Sequence, residues 1–337
     1  MKCIYLEAPG KIEVKEVEKP VRKGNEALIK VRSMGICGSD IGAYRGTNPL
    51  ITYPRIIGHE IAGEVVEIGE NSKEIKVGDR VIIDPYIYCG ECYPCSIGRT
   101  NCCEDLKVLG VHIDGGMTEL FAHSSELLYK VPDNISWEQV PVAEPLTIAL
   151  HAIHRTKVKE GEHVAIIGAG PIGLLAALVA LAYNAIPILI DIVDERLKFA
   201  SDIGIKHTVN PIKENAEKII KEITKGRMAE AVIEASGSNV AIRNSIDYVS
   251  YAGRIALTGW PKADTMLPTG VFTKKEIDIR GSRTSAGEFE EALKLMSEGT
   301  IDVTPIISKV VNLKEIPDAV KDLSEYPEKY LKINAVL

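Results

Sequence analysis

The stretch His163-Val-Ala-Ile-Ile-Gly-Ala-Gly-Pro-Ile-Gly173 decides the fold. Val164 to Ile167 is an apolar run of strand length, and Ile172 to Tyr183 reads as an apolar helix. Between them Gly168, Gly170 and Gly173 match G-x-G-x-x-G, a pattern that gains its meaning from lying between a strand and a helix. Gly168 would permit the tight turn, Gly170 the close approach of a diphosphate, and Gly173 close helix–strand packing, with Pro171 and Ile172 completing the turn. The diphosphate would lie on the helix N-terminus, where unpaired N–H groups and the helix dipole favour negative charge. Ile186 to Asp191 reads as a second strand, and Asp191 follows Gly173 by 18 residues. That is near the spacing of a carboxylate that binds the adenosine ribose. Such a carboxylate would repel a 2′-phosphate, and Ile192 and Val193 bring no cation, so NAD(H) is expected over NADP(H).

Downstream of this turn, helix and strand patterns alternate. Glu195 to Ser201 reads as a helix, and Ala231 to Glu234 and Arg254 to Thr258 as strands. Alternation of this kind predicts a parallel sheet with helices on both faces. Upstream, the texture changes near Pro145, where Leu146 to His154 reads as a helix. Before it lie short strands and turns: Ala27, Ile29 and Val31 alternate with Leu28, Lys30 and Arg32, and Ile61 to Ile68 and Arg80 to Ile83 are further apolar runs. Beyond Arg283, the spacing of Phe289, Ala292, Leu293 and Met296 predicts a helix that stops at Gly299. The expected chain is α/β. A doubly wound parallel sheet over residues 147–283 is inserted into an irregular, mostly β domain over 1–146 and 284–337. The latter carries a cysteine-rich lobe at about 86–106, and the tail folds back onto it.

Composition narrows the function classes. The chain has 337 residues, enough for two cores. Its 40 basic and 47 acidic residues give a net charge of -7 without long single-sign runs, which argues against nucleic acid or an anionic membrane as partner. The opening MKCIYLEAPGKIEV has no apolar core of a signal peptide, and the stretch Ile172 to Tyr183 falls short of the ~20 residues that span a bilayer. A cytoplasmic, reducing setting is therefore expected, in which clustered cysteines hold metal rather than form disulfides.

Five of the seven cysteines lie between Cys89 and Cys103. Cys89, Cys92, Cys95 and Cys103 form C-x2-C-x2-C-x7-C, suited to tetrahedral zinc in a closed structural site. An iron–sulfur run would space its fourth cysteine by three residues and follow it with proline, and this chain does neither. Cys102 adjoins the fourth position and competes with Cys103 for it. Cys3 reads as a small buried hydrophobe.

Three further segments carry metal-ligating types: Cys37 in Gly-Ile-Cys-Gly-Ser-Asp, His59-Glu60 in Gly-His-Glu, and Glu144 in Ala-Glu-Pro-Leu. With the cysteine lobe and the glycine-rich turn, in that order, they resemble the zinc-dependent medium-chain dehydrogenase/reductase family, which includes alcohol, sorbitol and threonine dehydrogenases. The resemblance covers essentially the whole chain. Gly110-Val-His112-Ile-Asp-Gly-Gly116 is similar to a bacterial branch acting on sugar acids such as L-galactonate.

The resemblance implies a GroES-like catalytic domain around a Rossmann domain, one catalytic and one structural zinc, NAD(H), and a homodimer or homotetramer. The reaction implied is hydride transfer between NAD(H) and a secondary alcohol or ketone of a polyol or sugar acid. Oxidation of 2,3-butanediol, threonine or a simple alcohol is the alternative, and a nucleotide-binding protein without chemistry is the non-enzymatic one. It implies Cys37 and His59 as catalytic-zinc ligands, with Glu60 and Glu144 as the carboxylates at the metal; which of the two binds directly stays open. Ser39 is implied as first carrier of the alcohol proton, against a plainer role as N-cap of a helix over Asp40 to Tyr44. The histidine that follows in many relatives would fall at Gly42, which lacks a side chain. Arg196 is implied as an adenosine contact, and His112 as a candidate substrate contact. His151 and His154 share a helix face but lack a third ligand candidate nearby in sequence.

Overall fold

The computed structural model describes residues 1–71 and 73–337. The chain divides into two compact units, Met1–Glu144 with Phe289–Leu337, and Pro145–Glu288. The crossings thus lie at 144/145 and 288/289, inside or beside helices rather than in linkers. The helix Ala143–Thr156 spans the first crossing, and Phe289 opens the helix Phe289–Ser297 at the second.

The first unit is built on a seven-stranded sheet. Its centre is the long strand Glu26–Ile36, which pairs antiparallel with Glu60–Ile68 on one side and with Lys332–Val336 on the other. Ile29, Val31, Met34, Ile61, Val65 and Ile333 are buried in one core cluster, because alternate residues of a strand face the same side and a register shift between Val31 and Ser33 moves the pattern on to Met34. Two register pairs set which residues meet at the strand ends. Gly35 lies opposite Glu60, and Ile36 lies opposite Ile333. From the same unit projects the cysteine lobe, rooted in the short antiparallel pair of Tyr86–Ile87 with Lys107–Val108.

The second unit holds a six-stranded sheet, all parallel, in the spatial order His207–Val209, Ile186–Ile190, His163–Ile167, Ala229–Glu234, Val249–Leu257, Asp278–Gly281. Numbered within the unit this is 3-2-1-4-5-6, the doubly wound order in which ligands bind beyond the carboxyl ends of the strands, where the winding reverses. Its central strand His163–Ile167 is buried throughout, as a strand with helices on both faces must be. No helix among the described residues is long and apolar enough to cross a membrane.

Candidate metal centre and coenzyme site

The glycine-rich turn is shaped by what surrounds each glycine. Gly168 has φ +106°, a conformation that favours glycine, and donates its N–H to Ile190 O at 2.7 Å. A Cβ on Gly173 would lie 1.7 Å from Gly168 O, so only glycine lets the helix Pro171–Ala182 start against the turn. Gly170, the N-cap of that helix, differs: an added Cβ would meet nothing within 4 Å. The space over Gly170 is what a diphosphate needs, and Pro171 and Ile172 form the first helical turn beneath it. Asp191, at the end of the second strand, accepts from Ala169 N at 2.6 Å and from Val193 N at 2.9 Å. Its carboxylate therefore pins the turn as well as facing a cavity of about 350 Å³ lined by Gly168, Asp191, Ile192, Ser236, Asn244 and Tyr248 among others. Among the described residues that line it there is no Lys, Arg or His. Arg196 is not one of them. It sits half-buried on the next helix, Asp194–Asp202.

In the cysteine lobe the sulfurs of Cys89, Cys92, Cys95 and Cys103 lie within 4.8 Å of one another, with separations of 3.4 Å, 3.6 Å and 4.0 Å for three of the pairs. A tetrahedron with Zn–S bonds of ≈ 2.3 Å has edges of about 3.8 Å, so the four thiols fit one zinc. They are far too distant for disulfides. Cys103, the fourth ligand chosen from the spacing, lies in the cluster, whereas Cys102 is outside it and accepts from Arg99 Nη2 at 3.5 Å.

A second donor set forms in the same unit. Antiparallel pairing of Gly35 with Glu60 brings the residues just beyond each strand end together: Cys37 after one, His59 before the other. The ligating atoms of Cys37, His59 and Glu60 lie within 4.8 Å of one another, with His59 and Glu60 buried. His59 Nδ1 is buried with no hydrogen-bond partner. Sulfur, imidazole and carboxylate are the donor types zinc takes, so the residues fit that ion. The electrostatics agree. Burial alone would keep His59 neutral, but Cys37 foremost, with Asp40 and Glu144, holds its pKa well above the usual imidazole value. The position attracts positive charge.

Sequence left Glu60 and Glu144 equal; the geometry separates them. Glu60 belongs to the donor set, whereas Glu144 Oε1 accepts a short hydrogen bond from the Tyr86 hydroxyl. Burial pushes the Glu144 carboxyl up against the pull of His59, and pushes the Tyr86 phenol up as well, so the phenol is the donor. Asp40, also raised by burial, accepts from Cys37 N at 2.9 Å and so fixes the backbone that presents the thiol. Cys37, not Ser39, is the N-cap of the helix Gly38–Tyr44. Ser39 lies inside the first turn, and its Oγ is buried without a partner. At Gly42 a Cβ would lie 3.5 Å from Asn48 Cβ, so Asn48 packs where a side chain would begin.

Two participants were invisible in the sequence. Lys332 is only 3% exposed, forms an ion pair with Glu60 and donates to Ile36 O at 3.0 Å. Burial would lower its pKa, but Glu60 and Cys37 raise it, so the ammonium stays charged. Gly35 makes room for this pair: a Cβ there would lie 1.9 Å from Glu60 Oε2 and 3.1 Å from Lys332 Cε. Their only sequence signal is a glycine in a long strand, which often marks close approach of another group.

The chain matches the alcohol dehydrogenase GroES-like domain over residues 23–133 and the zinc-binding dehydrogenase family over 171–298. It is 62% identical, over its whole length and 98% of the relative, to an uncharacterized zinc-type alcohol dehydrogenase-like protein of Haemophilus influenzae. The chain belongs to the zinc-type medium-chain alcohol dehydrogenase family. This dehydrogenase is also 36% identical to L-galactonate-5-dehydrogenase of Escherichia coli K12, covering 89% of the chain and 88% of that protein. An Escherichia coli CFT073 alcohol dehydrogenase solved with NADH superposes with a TM-score of 0.93 at 34% identity, over 100% of this chain and 99% of that one.

The other histidines singled out in the sequence of the dehydrogenase find ordinary partners. His151 and His154 lacked a third group in sequence; the structure supplies Glu288, whose Oε1 lies 2.7 Å and 3.3 Å from their Nδ1 atoms. Despite burial, the two imidazoles bring the Glu288 carboxyl down to about 2. The trio is not among the metal-competent groups of the described residues. His112 accepts from Val108 N at 3.1 Å, closing a local turn.

Proposed function

We propose that this dehydrogenase transfers hydride between NAD(H) and a secondary alcohol or ketone of a polyol or sugar acid. The observation that carries the reading is the set Cys37, His59 and Glu60, half-buried at the thiol and buried at the other two, a donor cluster that fits zinc, in a chain whose other unit has a glycine-rich turn lining a cavity. Its likeness to L-galactonate-5-dehydrogenase supports the sugar-acid side of the substrate class.

Zinc held there supplies Lewis acidity that lowers the pKa of a coordinated hydroxyl. The residues do the rest. Cys37, His59 and Glu60 would hold the ion, Lys332 offsets the Glu60 charge, and Glu144 would stand by as the second carboxylate. Ser39 Oγ, buried and without a partner, would accept the alcohol proton and, with no side chain at Gly42 to receive it, would pass it to water. Asp191 binds the adenosine ribose, and Gly170 leaves room for the diphosphate. Cys89, Cys92, Cys95 and Cys103 hold the second zinc.

Metal analysis should give about two zinc per chain, and polyols and aldonates offered with NAD should generate reduced coenzyme by absorbance. A zinc-loaded protein silent toward every secondary alcohol of these classes would sink the reading. Coenzyme choice has its own test. Asp191→Ala removes a charged acceptor worth roughly 1.5–3 kcal/mol, so kcat/KM with NAD should fall about ten- to a hundred-fold while that with NADP holds or rises. An unchanged NAD/NADP ratio would remove Asp191 from the coenzyme role.

A further inference from the structure

Tyr86 belongs to two places at once. Its backbone opens the cysteine lobe, pairing with Val108 across the lobe's root, and its N–H is held by Asp84 Oδ1 at 3.1 Å. Its ring is part of the lobe's small core with Cys103 and Leu106, and Cys92, Cys95 and Val108 pack against that cluster. Three of those neighbours are cysteines of the four-sulfur site, and Cys89 follows Tyr86 by three residues. The hydroxyl at the far end of the ring donates to Glu144, which is fully buried and close enough to His59 to shift it. A tyrosine ring has two side-chain torsions, so fixing its face fixes its hydroxyl.

We propose that Tyr86 is a positioning residue that couples the cysteine lobe to Glu144, so that closure of the lobe on its metal sets where this carboxylate sits beside Cys37, His59 and Glu60. The coupling deepens the function proposed above and rests on its assignment of Glu144 to the reactive centre. A buried phenol that merely filled the gap beneath the lobe would need no hydroxyl; phenylalanine would pack equally well. Coupling, by contrast, is reciprocal. If the lobe's metal steadies Glu144, then Glu144 must contribute to how tightly the lobe holds its metal, and must do so through the Tyr86 hydroxyl.

The test uses the full chain in a Cys37→Ala background, in which the lobe retains the only zinc, and measures zinc affinity by chelator competition. Tyr86→Phe keeps the ring and should weaken lobe affinity by about five-fold or more, the low end of a typical coupling between two sites. Glu144→Gln, which removes the charge that strengthens the bond, should weaken it too, and the double variant should be no worse than Tyr86→Phe alone. With Cys37 restored, Tyr86→Phe should lower kcat about ten-fold to a hundred-fold at unchanged KM for NAD. Lobe affinity unchanged in Tyr86→Phe, or additive in the double variant, overturns the coupling whatever happens to activity. Absence of turnover in the parent protein would count against the assigned reaction instead, and the affinities would still decide the coupling.

Discussion

Cys37→Ala is expected to lower kcat by about three orders of magnitude or more, while zinc content falls from about two to about one per chain. A Lewis-acidic ion is worth several kcal/mol to such a reaction, and each 1.36 kcal/mol is a factor of ten. The fold should survive. The helix that Cys37 caps is held through the backbone N–H of residue 37 to Asp40, which alanine retains. Coenzyme binding should survive as well, because the turn and cavity are built wholly from residues 167–248. Zinc analysis, circular dichroism and a titration with NADH separate these outcomes. Activity retained at even a tenth of the parent level would exclude Cys37 as a ligand of the reactive ion.

Gly173→Ala should produce the largest loss of stability of any single methyl addition in the second unit. The new carbon would stand 1.7 Å from Gly168 O and 2.9 Å from Gly168 C, both backbone, so the turn or the helix must move. Overpacking that cannot relax through side chains costs about 3 kcal/mol or more. NADH affinity should fall with it, since Gly168 and Ala169 are tied to Ile190 and Asp191. Gly170→Ala is the control. Its Cβ meets nothing, and its backbone (φ -77°, ψ -178°) suits any residue. Stability should change by less than about 0.5 kcal/mol, yet NADH should bind more weakly because the methyl occupies the diphosphate's space. Denaturant midpoints and NADH titrations read both. Equal stability losses in the two variants would mean that the turn's geometry is not what the contacts imply.

What could be read from sequence was what lies close along the chain. The glycine-rich turn and Asp191 declare themselves because strand, turn, helix and carboxylate all fall within some 30 residues. The four cysteines declare themselves by spacing, Cys103 over Cys102 included, and their sulfurs lie together in the structure. The reactive cluster was visible only as scattered segments whose order resembled a known family. Nothing in the sequence joins Lys332 to Glu60 across 272 positions, or Tyr86 to Glu144 across 58. Both pairs depend on strand register and on the lobe's root. Nor could local reading rank Glu60 against Glu144, because the difference lies in which carboxylate a tyrosine occupies. The face shared by His151 and His154 was legible from helical spacing, but their partner Glu288 lies at the far end of the second unit.

The pairing of Lys332–Val336 with Glu26–Ile36 has a consequence for synthesis. On the ribosome, the segment carrying Cys37, His59 and Glu60 emerges early, but its sheet lacks a central neighbour until the whole of Pro145–Glu288 has been translated. The contiguous inserted unit can complete itself first, whereas its host must wait for contacts of very long sequence separation, the slowest kind to form. Until then Glu60 has no ammonium beside it, and the nascent centre is an uncompensated carboxylate in an unfinished sheet. The contiguous unit is therefore expected to mature before the one whose sequence flanks it, the reverse of the usual N-terminal-first order.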